Sequence, residues 1–225
     1  SEPFEGYESP RELTTADVHD LVQDFAAAAK NAMLAGFDAV EIHAAHGYLI
    51  HQFLSPLTNK RTDEFGGSLE NRARFLMEIV RAIRAEVGEI LPVFIRFSAT
   101  DYKEGGWDVE QTTQVAKWCA ELGADLFDIS SGGLITGVKI PSGPGYQVPL
   151  AEKVAQGVEQ PIGAVGQITN AAQAEEILQS GAVDIVLIGR ASLRDPYWAL
   201  RAAHELGVEI DYWPKQYLRG KFPAS

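Results

Sequence analysis

The sequence predicts an α/β fold, a (β/α)8 TIM barrel of which this chain carries about five βα units. Three observations carry that expectation. Short β-branched runs alternate with longer amphipathic ones along all 225 residues, the order that parallel βαβ units impose. The strand candidates are apolar on one face and polar or charged on the other, which suits a barrel lumen better than a sheet covered by helices on both faces. No Gly-x-Gly-x-x-Gly follows the first strand, which weakens a doubly wound dinucleotide-binding reading.

Taken in order, a helix is expected over 15–35, opened by Thr15 ahead of Asp17-Val18. Strand Phe37–His43 follows, then a helix over 68–86 capped by Ser68. Pro92–Ser98 is the second strand, and Asp108 caps the helix over 108–122. Strands Ala124–Ser130, Pro161–Val165 and Asp184–Gly189 complete the set, with helices near 149–157, 170–180 and 195–206. Short polar residues before apolar periodicity are the usual helix starts. Within the strands Ile42 opposes Glu41 and His43, Ile95 and Phe97 oppose Arg96 and Ser98, and Phe127 and Ile129 oppose Asp128 and Ser130. Five strands are too few to close an eight-stranded barrel, and the chain opens in a loop, Pro3 to Pro10, that leads straight into a helix. The expectation is one partial barrel domain over 1–225, with strands missing upstream.

Composition narrows the function. An apolar share of 46 % is ample for a core, and a formal charge of −12 argues against wrapping nucleic acid or lying on anionic lipid. The opening Ser1-Glu2-Pro3-Phe4 does not read as a signal peptide, and no apolar run is long enough to span a bilayer. A single cysteine, Cys119, lies in the helical pattern 115–122 and reads as a packed thiol in a reducing compartment. A cytoplasmic protein handling a small molecule is expected, with neither nucleic acid nor membrane as partner.

The chemistry concentrates after the first strand. In His43-Ala44-Ala45-His46-Gly47-Tyr48, two imidazoles and a phenol leave a strand end within six residues. Two ring N–H groups can polarise one carbonyl oxygen while a phenol delivers a proton. A metal pair or satisfied core histidines would also account for the spacing, although no third ligand follows at motif distance. Arg96 projects from the neighbouring strand and could pair with Glu41 or Asp128. The last two strands end at Gly166 and at Gly189-Arg190. Barrels bind phosphate with backbone amides at those positions, and Arg190 adds a bidentate cation; ordinary turn glycines are the alternative. Gly163 reads as packing, as do Trp107, Trp118, Trp198 and Trp213. The stretch Lys139–Gln147 reads as a long connection rather than a lid.

The run His43 to Pro56, followed by Asn59-Lys60-Arg61-Thr62-Asp63-Glu64-Phe65-Gly66-Gly67-Ser68-Leu69-Glu70-Asn71-Arg72, resembles the signature of old yellow enzymes. The His-x-x-His form is similar to the bacterial branch. The likeness continues through Arg96–Asp101, Gly163–Gly166 and Ile188–Pro196 and covers essentially the whole chain. It implies the C-terminal five units of an FMN-dependent (β/α)8 ene-reductase. By that resemblance His43 and His46 bind the oxygen of an α,β-unsaturated carbonyl substrate, and Tyr48 is the proton donor. NADPH or NADH reduces the flavin, which passes hydride to the β-carbon. Arg96 would sit at the flavin's pyrimidine edge, and Gly166, Gly189 and Arg190 at its phosphate. Arg219, in Gln216-Tyr217-Leu218-Arg219-Gly220, resembles an arginine that reaches the substrate site of a neighbouring subunit, which implies a homo-oligomer; a solvated tail arginine is the alternative.

The family's N-terminal third normally supplies three strands and further flavin contacts, so a missing N-terminal segment or a second copy is the expected partner. Two other readings stand beside the ene-reductase. One is the related barrel of larger flavoproteins such as dienoyl-CoA reductases or trimethylamine dehydrogenase, opposed by the chain's end near Ser225 and the lack of cysteine-rich iron–sulfur spacing. The other is a non-catalytic truncated or engineered half-barrel that self-associates.

Overall fold

The computed structural model describes Glu8 and residues 10–222. The opening Ser1–Phe4 and most of the expected loop from Pro3 to Pro10 lie outside the described residues. Five parallel strands, β1 (Val40–Ala44), β2 (Val93–Ser98), β3 (Leu126–Ser130), β4 (Ile162–Val165) and β5 (Ile185–Leu187), pair in chain order. Between and around them run α1 (Thr15–Leu34), α2 (Leu49–Leu54), α3 (Leu69–Val87), α4 (Val109–Glu121), α5 (Val148–Ala155), α6 (Ala171–Gln179), α7 (Arg190–Arg194) and α8 (Trp198–Glu205). A 3-10 turn, Lys215–Gly220, follows. An unreversed strand order is the order of a (β/α)8 barrel; a doubly wound sheet would reverse at a switch point. The chain therefore carries five consecutive units of such a barrel.

The register turns the period-2 alternation into layers. Ile42, Ile95, Phe127 and Ile162 stand side by side, and Ala44, Phe97, Ile129 and Ala164 form the next row; all are buried. They pack with Phe75, Leu76, Ile79, Val80 and Ile83 of α3 and Val115, Ala116 and Cys119 of α4 in one core. Each large member contributes about 1.5–3 kcal/mol of burial. The opposite face carries the row His43, Arg96, Asp128 and Gly163, with Ser98 beside Ser130 at the strand ends. Burial pushes the Cys119 thiol well above its ordinary value, as befits a packed thiol. A Cβ on Gly163 would come within 2.6 Å of Leu187 Cδ1, so this glycine is a packing residue.

Several boundaries differ from expectation for local reasons. Thr14, not Thr15, caps α1: its hydroxyl accepts from Asp17 N–H while Asp17 reaches back to the Thr14 N–H. Only this frame places the acidic residue at the third helical position of a capping box, and Thr15 instead donates to Asp63 at 2.8 Å. Ser68 and Asp108 cap as expected. β1 begins at Val40 rather than Phe37, because Gly36 turns the chain with φ of 87° and leaves Phe37 64 % exposed. The short α2 was not foreseen, although Ile50, Phe53 and Leu54 bury one face at helical spacing.

Among the described residues the outer edges of β1 and β5 have no strand partner, and Leu34, Phe37 and Ile90 are exposed at 73 %, 64 % and 96 %. Unpaired parallel edges with apolar neighbours invite association. The 225-residue chain on its own is expected to self-associate or aggregate in light scattering. A monodisperse monomer would contradict this. Among the described residues no helix is long and apolar enough to cross a membrane.

Candidate active site

The turn after β1 is built by two left-handed residues, His46 with φ of 57° and Gly47 with φ of 78°. A Cβ on Gly47 would lie 2.5 Å from Gly133 O, and one on Gly133 would lie 2.7 Å from His46 Cα. The turns that follow β1 and β3 thus meet backbone to backbone, which only glycine permits. Ser98 Oγ clamps them, accepting from His46 N–H at 2.9 Å and donating to Gly132 O at 2.8 Å. The result gathers three of the expected groups: the His43 ring centroid lies 5.3 Å from that of His46 and 5.3 Å from that of Tyr48. Tyr48 is 64 % exposed and so accessible to a ligand.

Behind the turn lies a fully buried support. His51 Nδ1 accepts from Gly47 N–H at 3.0 Å, which leaves its Nε2–H to donate to Asp101 Oδ1 at 2.9 Å. Asp101 Oδ2 also accepts from Ser55 Oγ at 2.6 Å and Trp107 N–H at 2.8 Å. Burial alone would raise the Asp101 carboxyl; the bonds from His51, Ser55 and Trp107 outweigh it and hold the group below its ordinary range. His51 therefore positions the turn and lies off the ligand side. The sequence spacing does not show this role, because the fold-back that makes His51 a partner of Gly47 is set by α2.

Of the two acids open to Arg96, the structure pairs it with Asp128, Nε to Oδ2 at 2.9 Å. The distance suggests a firm ion pair, yet the atoms are misaligned for a hydrogen bond and both Asp128 oxygens lack a donor among the described residues. Burial accordingly pushes Asp128 up to about 7, with Arg96 pulling it down and Glu41 pushing it up. Glu41 is itself raised by burial, opposed by Arg96. Burial and then the nearby Arg96 lower both imidazoles, His46 to about 4. At neutral pH both rings are uncharged hydrogen-bonding groups. Among the described residues no cluster of three His, Cys, Asp or Glu side chains could hold a metal ion.

Beside the turn runs a groove of about 560 Å3 lined by Arg96, Ser130, Gln147, Gly166, Gly189 and Arg190, together with Arg194. This volume is in the range of small-molecule sites. The amides of Gly166, Gln167, Gly189 and Arg190 have no acceptor among the described residues. Gly166, with φ of 131°, turns its carbonyl back to Gly145 N–H at 2.8 Å. Arg219 stands apart, on the exposed 3-10 turn, with no hydrogen bond or ion pair to the His43–Tyr48 turn among the described residues. A second cavity of about 450 Å3, lined by Leu21, Leu49, Phe53 and Arg61, holds none of the expected groups. Sequence reasoning missed Gln147, Arg194 and the linking roles of Ser98 and Ser130; for the serines the signal was their place on the lumen face.

Barrels frequently hold a phosphate group at the ends of their last strands, and the amides and cations of this groove have that arrangement. Residues 2–209 match the model of the NADH:flavin oxidoreductase / NADH oxidase family, and the chain belongs to that family. It is 51 % identical over 212 residues to an NADPH dehydrogenase of Bacillus subtilis (strain 168), a match covering 94 % of this chain and 62 % of that protein. An NADPH dehydrogenase of Listeria monocytogenes serotype 4a (strain HCC23) is 49 % identical over 93 % of this chain and 61 % of its own. The chain thus spans about three fifths of the curated relatives it matches. Among solved structures, a 2-naphthoyl-CoA reductase in complex with 2-naphthoyl-CoA matches with TM-score 0.84 and 38 % identity, over 92 % of this chain and 32 % of that one. Histamine dehydrogenase from Rhizobium sp. 4-9 matches with TM-score 0.74 and 30 % identity, over 88 % and 29 %.

Family membership implies FMN as cofactor and NAD(P)H as reductant. The residues present fit an FMN. Unsatisfied amides and Arg190 meet the needs of a phosphate, and Arg96, whose buried Nε has no aligned acceptor, meets those of a polar ring edge.

Proposed function

We propose that this chain is the FMN-holding, substrate-activating part of an NAD(P)H-dependent ene-reductase acting on α,β-unsaturated carbonyl compounds. The observation that carries the reading is the single turn that sets His43, His46 and Tyr48 beside a groove rimmed by Arg96 and Arg190. Bound FMN supplies hydride. His43 and His46 hold the carbonyl oxygen of the substrate and draw charge toward it, which makes the β-carbon electrophilic. Tyr48 supplies the proton for the α-carbon. Arg96 holds the pyrimidine edge, while Gly166, Gly189 and Arg190 hold the phosphate. Residues 1–225 act as one partial barrel domain in the cytoplasm, and Arg219 serves the substrate site of a second copy in a homo-oligomer. The edges of β1 and β5, unpaired among the described residues, also favour a second reading, a half-barrel that self-associates without catalysis.

Loss of the enone chromophore, driven by NADPH with FMN present under anaerobic conditions, tests the first reading. The expected result is consumption of one NADPH per saturated ketone formed. NADPH left unconsumed with or without oxygen, and cyclohex-2-enone intact, would favour the second. Arg190→Ala is expected to weaken FMN by about 1.5–3 kcal/mol, the scale of a lost charged hydrogen bond. Unchanged affinity in fluorescence titration would put the phosphate elsewhere.

A further inference from the structure

Gln147 ends the long connection after β3 and is 2 % exposed. Its Nε2 donates to Val165 O at 2.8 Å, which settles the amide's orientation, because the reverse would set two carbonyl oxygens against each other. Oε1 therefore faces the serines as a pure acceptor. It receives Ser131 Oγ in a short bond and Ser130 Oγ at 3.2 Å. Ser131 has a donor of its own, the Tyr102 hydroxyl at 2.9 Å. Both serine protons thus converge on one oxygen.

A serine hydroxyl has one proton. With the Ser130 proton directed to Gln147, Ser130 Oγ can only accept from its other neighbour, His46 Nε2, at 2.7 Å. His46 is uncharged at neutral pH, its value lowered to about 4 by burial and Arg96, so its ring has one proton to place. Ser130 and Gln147 both line the groove that Arg96 and Arg190 rim.

We propose that Gln147, acting through Ser130, is a positioning residue that orders the His46 proton onto Nε2, so that this nitrogen reaches the groove as a donor. The significance rests on the ene-reductase reading: a substrate carbonyl oxygen needs an N–H, and a bare ring nitrogen would repel it. On substrate entry the Nε2–H passes from Ser130 Oγ to the carbonyl oxygen, and no covalent bond changes.

The test is 15N solid-state NMR of the histidine rings in the 225-residue chain, a method indifferent to association state, with His46 assigned by its loss in His46→Gln. The wild-type ring is expected as the Nε2–H tautomer; a predominant Nδ1–H form overturns the proposal outright. In Gln147→Met the Ser130 proton loses its acceptor and turns to His46, so the tautomer ratio should move toward Nδ1–H by about fivefold, the effect of one net hydrogen bond. Ser131→Ala should leave the ratio unchanged. A Gln147→Met ratio equal to wild type, or an equal shift in Ser131→Ala, overturns the role of Gln147. Should Gln147→Met not fold, Ser130→Ala replaces it: the Nε2 proton should lose the downfield shift of a short hydrogen bond, and an unmoved resonance overturns the proposal. No flavin or substrate enters these spectra, so they stand whether or not the enone assay succeeds. Where turnover is measured, Gln147→Met should raise the enone KM about fivefold with kcat near wild type; an unchanged KM would sever the relay from substrate binding.

Discussion

Asp101→Ala is expected to destabilise the protein by about 3–5 kcal/mol, the cost of removing one partner from a buried charged network. Three donors, His51 Nε2–H, Ser55 Oγ–H and Trp107 N–H, would lose their acceptor in a site closed to water. The damage should spread to the turn, because His51 freed from Asp101 no longer holds Gly47 N–H. Urea unfolding followed by tryptophan emission measures the loss; a change below about 1 kcal/mol would mean that water replaces the carboxylate. The pH dependence carries a sign. A carboxyl held below its ordinary value contributes stability that is complete above about pH 4 and fades as pH falls through the folded value. Asp101→Asn should remove that acid-side loss while retaining part of the network.

His43→Ala or His46→Ala is expected to lower enone turnover by about 10²–10³-fold, the scale of one lost donor to a developing oxyanion. Reduction of the flavin by nicotinamide should remain largely intact, since neither ring is assigned to the groove's phosphate or ring-edge contacts. Tyr48→Phe should slow the step that delivers the α-proton. Stopped-flow measurement of the two half-reactions separates these effects. Equal loss in both would assign the side chains to flavin placement instead of substrate activation.

Strand number, order of elements and the polar faces of β2 and β3 were legible in the sequence, because alternation and helix caps are local consequences of backbone geometry. The chemistry after β1 was legible too: His43, His46 and Tyr48 share one short turn, and chain connectivity alone keeps them close. Glycine at two successive strand ends marked the groove at Gly166 and Gly189. What the tertiary structure decided were the pairings. Register set His43 beside Arg96 and Arg96 beside Asp128 rather than Glu41. Packing of α2 folded His51 back beneath Gly47, and the long connection after β3 delivered Gln147 to Ser130. Such partners lie at long range or across a turn, and their meeting depends on strand registration and core packing, which no local pattern encodes.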